Sequence, residues 1–232
     1  MPHCVLCKSF FLKFIDFNGR PNAGCPVCKS AERHRLVGYY LEKNVNTKNL
    51  TILHLAPDKM LYNLLKASAK EYICGDLNPA NFLPLPCTKI DARHLPHPDH
   101  KFDLIVALHI LEHIPEDKTV IKELHRVLHP KGKLIVMVPQ NFDSKVTDED
   151  PSITDPVIRK KRFGQPDHVR LYGLDFTQRL KNGGFQVKAY VPTPRIPQTK
   201  LMTLDNIEVI TDQTVMTDNG FSQWDILYEC TK

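Results

Sequence analysis

A chain of 232 residues, 42% hydrophobic and 25% charged, has enough apolar side chains for one full domain plus a small appendage, and too ordinary a balance for a disordered or fibrous chain. A formal net charge of +5 is mild for this length; it is compatible with a nucleic-acid partner without favouring one, and no dense basic arm accompanies it. No apolar run reaches the ~18 residues of a spanning helix, and Met1-Pro2-His3-Cys4 lacks a basic-then-apolar leader, so no membrane partner is expected and a cytoplasmic setting with reduced thiols is.

The cysteines sort by spacing. Cys4 and Cys7 form one C-x2-C pair, Cys25 and Cys28 a second. Each such turn presents two thiolates, and two turns complete a tetrahedron around zinc. Residues 1–30 therefore read as a zinc ribbon, with Phe10, Phe11, Phe14 and Phe17 between the knuckles and Asn18-Gly19 as a hairpin turn. So small a unit cannot bury enough surface to fold alone, and the metal supplies the missing stability. A redox role would need one C-x-x-C beside a βαβ unit. Cys74, Cys87 and Cys230 are isolated and read as small buried apolar groups.

Residues 31–49 read as a linker helix and a polar boundary. Ser30 to Asn44 is helical, with Ser30 as N-cap and Leu36, Tyr39, Tyr40 and Leu41 as an apolar stripe. Arg33-His34-Arg35 lies in its first turns, either as a solvated basic face or leaning over a cofactor or acidic substrate. The polar stretch Asn44–Asn49 marks the domain boundary.

From residue 50 onward buried-type strands alternate with helical segments, the pattern of an α/β fold with a parallel sheet. Strands are expected at 51–55, 71–74, 88–90, 102–108, 133–138, 186–191 and 223–230. Helices are expected at about 58–69, 115–129 and 175–182, the second ended by Pro130-Lys131-Gly132. Asn141 to Arg170 is long, polar and irregular, as lids and binding loops are, and holds the basic run Arg159-Lys160-Lys161-Arg162. Ligands of such sheets bind outside the carboxyl ends of the strands, where Asp76 and Asp91 fall. Asp76 is placed to take both hydroxyls of a ribose. Asp91, with the Ala92 amide, suits an adenine edge. The turn after the first strand is His54-Leu55-Ala56-Pro57-Asp58, and no glycine falls between Gly38 and Gly75. A dinucleotide or phosphate-loop site is thereby excluded, while a nucleoside without phosphates is tolerated.

Residues 50–232 resemble a class I S-adenosylmethionine-dependent methyltransferase of the small-molecule branch. The resemblance is carried by Phe102-Asp103-Leu104-Ile105-Val106-Ala107-Leu108-His109-Ile110-Leu111-Glu112-His113-Ile114-Pro115 and by Leu124-His125-Arg126-Val127-Leu128-His129-Pro130-Lys131-Gly132. A second stretch, Gly164-Gln165-Pro166-Asp167-His168-Val169-Arg170-Leu171-Tyr172-Gly173, is similar to a substrate-side loop of zinc-ribbon bacterial methyltransferases. The resemblance implies a Rossmann-like sheet of seven strands in the order 3-2-1-4-5-7-6, with strand 7 antiparallel. It implies S-adenosyl-L-methionine as cofactor, held by His54, Leu55, Ala56, Pro57, Asp76, Leu77, Asp91, Ala92 and Leu108. His54 stands where the family has an acid and Ala56-Pro57 where it has glycines, which leaves a catalytically dead binding protein as one alternative.

Methyl transfer is an in-line displacement that needs alignment and, for a hydroxyl, a base. His168, His113 and His109 are the catalytic candidates, with Glu112, Asp167, Arg170 and Tyr172 on the substrate side. His109, Glu112 and His113 also form a metal-type set. The expected acceptor is a small molecule or a sugar hydroxyl or amine. An RNA acceptor is the other alternative, against which the mild charge and the lack of aromatics among Arg159–Arg162 count. Oligomeric state is not legible.

Overall fold

The computed structural model describes residues 1–192, 206–210 and 226–232. At the N-terminus, β1 (Ile15–Phe17) and β2 (Arg20–Gly24) form an antiparallel hairpin. Its turn is Asn18-Gly19, both at positive φ (48° and 75°), as a primed two-residue turn demands. The two cysteine knuckles are alike. Lys8 N–H donates to Cys4 O and Lys29 N–H to Cys25 O, and both lysines sit at positive φ.

The next element is α1 (Glu32–Asn44). Its N-cap is Ala31 rather than Ser30, and the His34 ring Nδ1 accepts the Ala31 N–H at 3.2 Å. The Ser30 hydroxyl is turned inward instead, 3.5 Å from Cys4 Sγ and 3.2 Å from Cys28 Sγ. Nor is α1 a spacer: Leu36, Val37, Tyr40 and Leu41 are buried in one apolar layer with Ile52, Leu104 and Ile135 of the sheet. The basic triplet is not a solvated face. Arg35 is fully buried, donates Nη1 to Ala23 O (3.0 Å) and Ser30 O (2.8 Å), and stacks on Phe14 at 4.3 Å. It joins the ribbon to the helix.

The sheet follows in β3 (Thr51–Leu55), α2 (Lys59–Lys66), β4 (Glu71–Asp76), β5 (Thr88–Lys89), β6 (Phe102–Leu108), α3 (Asp117–Val127) and β7 (Leu128–Met137). Then come β8 (Asp148–Glu149), α4 (Pro156–Phe163), β9 (Arg170–Leu171), α5 (Phe176–Asn182), β10 (Gln186–Pro192), β11 (Ile207–Ile210) and β12 (Leu227–Thr231). Eight strands lie in the order β11-β10-β12-β7-β6-β3-β4-β5. In the sequence numbering this is 3-2-1-4-5-7-6 with one further strand, β11, parallel at the outer edge; β12 is antiparallel to both neighbours. Alternate residues of β6 face opposite layers: Leu104, Val106 and Leu108 meet the layer of α1 and α2, while Ile105 and Ala107 meet that of α3 and α5, which Phe102 joins across the register shift. A strand covered on both faces reads as an unbroken apolar run, which is why β3, β6 and β7 are visible in the sequence.

Two expectations are corrected, and a third falls partly outside the described residues. Pro130-Lys131-Gly132 does not separate helix from strand, because α3 passes directly into β7 at Leu128, with a register shift opposite Phe102–Leu104. The stretch from Asn141 to Arg170 is not irregular throughout, because α4 lies inside it. Asp155 caps α4 by accepting from Val157 and Ile158 N–H, Pro156 opens it, and Gly164 closes it at φ 94°. Only Phe163 of α4 is buried, so no apolar period betrays it. The last strand begins at Leu227; its expected start at Gln223, and most of the Pro-rich connection before it, lie outside the described residues. Among the described residues no helix is long and apolar enough to cross a membrane.

Candidate active site

The carboxyl ends of β3, β4, β5 and β6 open on one cleft of about 650 Å³. Its floor comes from Leu55, Ala56, Gly75 and Ile90, and its rim from Asp76, Leu77, Asp91 and Ala92. Gly75 is where the chain can afford no side chain, since a Cβ there would lie 2.3 Å from Ile90 Cδ1. Ala56 holds φ at +46° and donates its N–H to Gly75 O at 2.9 Å, so the turn after β3 adopts a glycine conformation without a glycine. Asp58 caps α2, its Oδ1 accepting from Met60 and Leu61 N–H. At the tip of β4, Asp76 Oδ1 accepts from Asn78 N–H at 2.7 Å, which fixes the carboxylate at the cleft.

The other end of the cleft is built from the segment after β6 and the loop before β9. His109, Ile110, His113, Ile114, Pro115 and Asp167 line it. His109 sits at φ 53°, its N–H on Met137 O. His113 Nδ1 lies 3.2 Å from Asp167 Oδ2. Behind it, His168 stacks edge-on to His113 with centroids 4.7 Å apart. His168 Nδ1 is 3.0 Å from Phe163 O, which can only accept, so Nδ1 carries the proton and Nε2 a lone pair. Burial lowers the His168 pKa, disfavouring the charged ring. Glu112 is 1% exposed, with Oε1 3.5 Å from His109 Nδ1 and 3.9 Å from His113 Nε2.

Residues 44–136 match the model of a methyltransferase domain. An uncharacterized protein of Methanocaldococcus jannaschii is 35% identical over 116 residues, 49% of this chain and 51% of its own. A probable S-adenosylmethionine-dependent methyltransferase of Mycolicibacterium smegmatis is 28% identical over 106 residues, 43% of this chain and 37% of that one. The chain thus spans only 51% and 37% of the length of these two relatives. In three dimensions, a SAM-dependent methyltransferase of Archaeoglobus fulgidus superposes with TM-score 0.55 at 17% identity, over 86% of this chain and 94% of that one. Residues 44–136 of this chain form a methyltransferase domain, within a fold shared with S-adenosylmethionine-dependent methyltransferases.

Against that identification, the expected residues of the methyltransferase domain divide. Leu55, Ala56, Asp76, Leu77, Asp91 and Ala92 line the cleft. His54 does not: it is wholly buried, its Nδ1 lies 2.7 Å from Tyr72 Oη, and burial lowers its pKa to about 4. Pro57 and Leu108 are also buried outside the lining, Leu108 in the layer under α1. Asp91 is at the rim, but it is held by Arg93, whose Nε and Nη2 donate to its carboxylate at 3.0 and 2.8 Å. Those bonds lower its pKa to about 2.

On the acceptor side, His109, His113 and Asp167 reach the cleft and Glu112 lies beneath them, while His168, expected in the crevice, is 2% exposed behind His113. Arg170 and Tyr172 are not open to a substrate. Arg170 donates to the carbonyls of Leu111, Ile114 and Pro115 and to Glu149, and Tyr172 Oη donates to Asp117 Oδ2 at 2.9 Å. The sequence reading missed Gly75, Asn81, Phe82 and Arg93 in the lining. Arg93 carried a readable signal, since a guanidinium two residues past a strand-tip acid meets it when the chain turns.

Proposed function

We propose that this chain methylates a small-molecule or sugar acceptor, at a hydroxyl or amine, with S-adenosyl-L-methionine as donor. One observation carries the reading: a single cleft has a nucleoside-type rim at one end and a histidine–carboxylate cluster at the other. The donor supplies an already activated methyl group, so the protein's work is alignment and exclusion of water. Asp76 at the rim suits ribose hydroxyls, and Ala92 with the apolar floor suits an adenine face. His113 is the cleft-lining imidazole, oriented by Asp167, and the acceptor would give up its proton there. Arg159–Arg162 supports this class of acceptor over RNA, because Arg162 is already paired with Asp148 and Asp150. Cys74, Cys87 and Cys230 as thiols, beside four cysteines spaced for a metal, support a reducing, cytoplasmic setting.

The ribbon residues fit zinc. Cys4 and Cys28 Sγ are 3.7 Å apart, Cys7 and Cys25 Sγ 3.8 Å. A tetrahedron with 2.3 Å zinc–sulfur bonds has edges of about 3.8 Å. These distances are far from a disulfide bond of about 2.05 Å. The four thiolates would hold the ion as a closed, structural site.

The test is calorimetry with S-adenosylhomocysteine. Wild type is expected to bind it, and Asp76→Ala to bind at least tenfold more weakly, at about 1.4 kcal/mol per factor of ten. Unchanged affinity in the variant would remove the ribose assignment, and no binding by wild type would remove the methyltransferase reading.

A further inference from the structure

Glu112 is the side chain that the function above leaves unexplained. Its carboxylate is almost wholly buried, and neither oxygen accepts a hydrogen bond from any described residue. His168 Nε2 is buried beside it and is likewise without a hydrogen-bond partner. Nε2 of His113 approaches Glu112 Oε1 only to 3.9 Å, too far for a hydrogen bond. Ligand atoms of the three residues lie within 4.8 Å of one another.

The backs of the two rings tell which way they face. His113 Nδ1 is engaged by the Asp167 carboxylate and His168 Nδ1 by the Phe163 carbonyl. Both partners are acceptors, so Nδ1 is the nitrogen of each ring disposed to carry the proton, which leaves Nε2 as the ligand atom. Three acceptor atoms therefore converge, and although His109 Nδ1 lies 3.5 Å from Glu112 Oε1, neither Glu112 oxygen accepts a hydrogen bond from a described residue. A buried carboxylate facing two lone pairs is unfavourable unless a cation stands among them. Metal-binding histidines have this back-side arrangement, with the second ring nitrogen donating to a carboxylate or a backbone carbonyl.

We propose that Glu112, His113 and His168 bind a first-row divalent cation, in a site of two imidazoles and one carboxylate beside the acceptor end of the cleft. That donor set suits such ions, and three protein ligands leave coordination positions open. Bonds of about 2.1 Å place tetrahedral ligands about 3.4 Å apart, so His113 need close on Glu112 by only about half an ångström. His113 is half-exposed and can make that movement. The proposal rests on the methyltransferase reading and deepens it, by specifying an oxygen acceptor. With the cation in place, His113 is a ligand, and a hydroxyl bound at an open position is acidified and oriented. The hydroxyl loses its proton to solvent, its oxygen forms the new bond to the methyl carbon, the carbon–sulfur bond breaks, and the sulfur leaves as a neutral thioether.

The test uses the full chain with its ribbon metal left in place. After desalting against a mild chelator, Co2+ is titrated in while the visible spectrum is followed. Wild type is expected to bind one Co2+ with weak d–d bands and without the intense thiolate charge-transfer bands of a sulfur site. His113→Ala, at a half-exposed position that does not endanger folding, and Glu112→Gln, checked by its urea midpoint, should each weaken Co2+ at least tenfold. Equal affinity in His113→Ala, thiolate bands alone, or no binding by wild type overturns the site. S-adenosylhomocysteine calorimetry on the same samples separates the two readings: cobalt binding without the nucleoside leaves the metal site standing and removes the methyltransferase reading, and the reverse removes only the metal.

Discussion

Ala56 is a single residue that measures how this cleft departs from a glycine-rich one. An L-residue in the left-handed region costs about 1–2 kcal/mol. Glycine would remove that cost while adding about 0.5–1 kcal/mol of backbone entropy loss on folding. Ala56→Gly should therefore stabilise the chain by about 0.5–1 kcal/mol, a Tm rise of about 2 °C for a protein of this size. An unchanged or lowered Tm in calorimetric melts would mean that the turn is relaxed as it stands. At this scale the sequence was readable where chemistry and position coincide. Asp76 and Asp91 are acids at strand tips, and Asp167 with His113 is an acid within reach of an imidazole. It was not readable where a polar side chain turns inward. His54, Arg170 and Tyr172 look like site residues by type, and only packing reveals that each is bonded to a neighbour within the fold.

Among elements, the segment joining β6 to α3 carries both the cleft wall and the histidine cluster, and one guanidinium shapes it. Arg170, 3% exposed, reaches from β9 to three of its carbonyls, those of Leu111, Ile114 and Pro115. A lysine keeps the charge but not the planar fork that serves several acceptors at once. Arg170→Lys is expected to lose about 3 kcal/mol, as for a buried charge stripped of part of its partnership. Exchange of the Leu111–Ile114 amides should rise, since that segment is the part released. A wild-type urea midpoint would show that the carbonyls are satisfied without the clamp. The strands were legible because a parallel strand buried on both faces is one apolar run. For α4 the apolar record was silent and only its caps, Asp155 and Gly164, could have spoken. The outer strand β11 was not foreseen, because an edge strand of four residues after a Pro-rich stretch has neither length nor alternation to mark it.

For the whole molecule the question is whether ribbon and sheet domain are separate. Charge and packing tie them together through α1. Its first turns serve the ribbon, with Arg35 buried against Phe14 and Glu32 paired to Arg20 of β2 at 2.9 Å. Its later turns serve the sheet: Tyr40 donates to Glu229 of β12, which also pairs with Lys133 of β7 at 3.2 Å. One helix thus belongs to both cores, and a boundary drawn at either of its ends cuts through packed side chains. If the four cysteines hold zinc as proposed, its loss would leave four mutually repelling or protonated sulfurs near the buried Arg35 guanidinium, which thiolate charge helps to hold. Prolonged chelation is therefore expected to remove about one zinc per chain and to lower the Tm of the single main transition, rather than to melt a separate small unit. Metal analysis beside differential scanning calorimetry would check both. A zinc-free protein with an unaltered main transition would mean that α1 stands on the sheet alone and that Arg35 needs nothing from the ribbon.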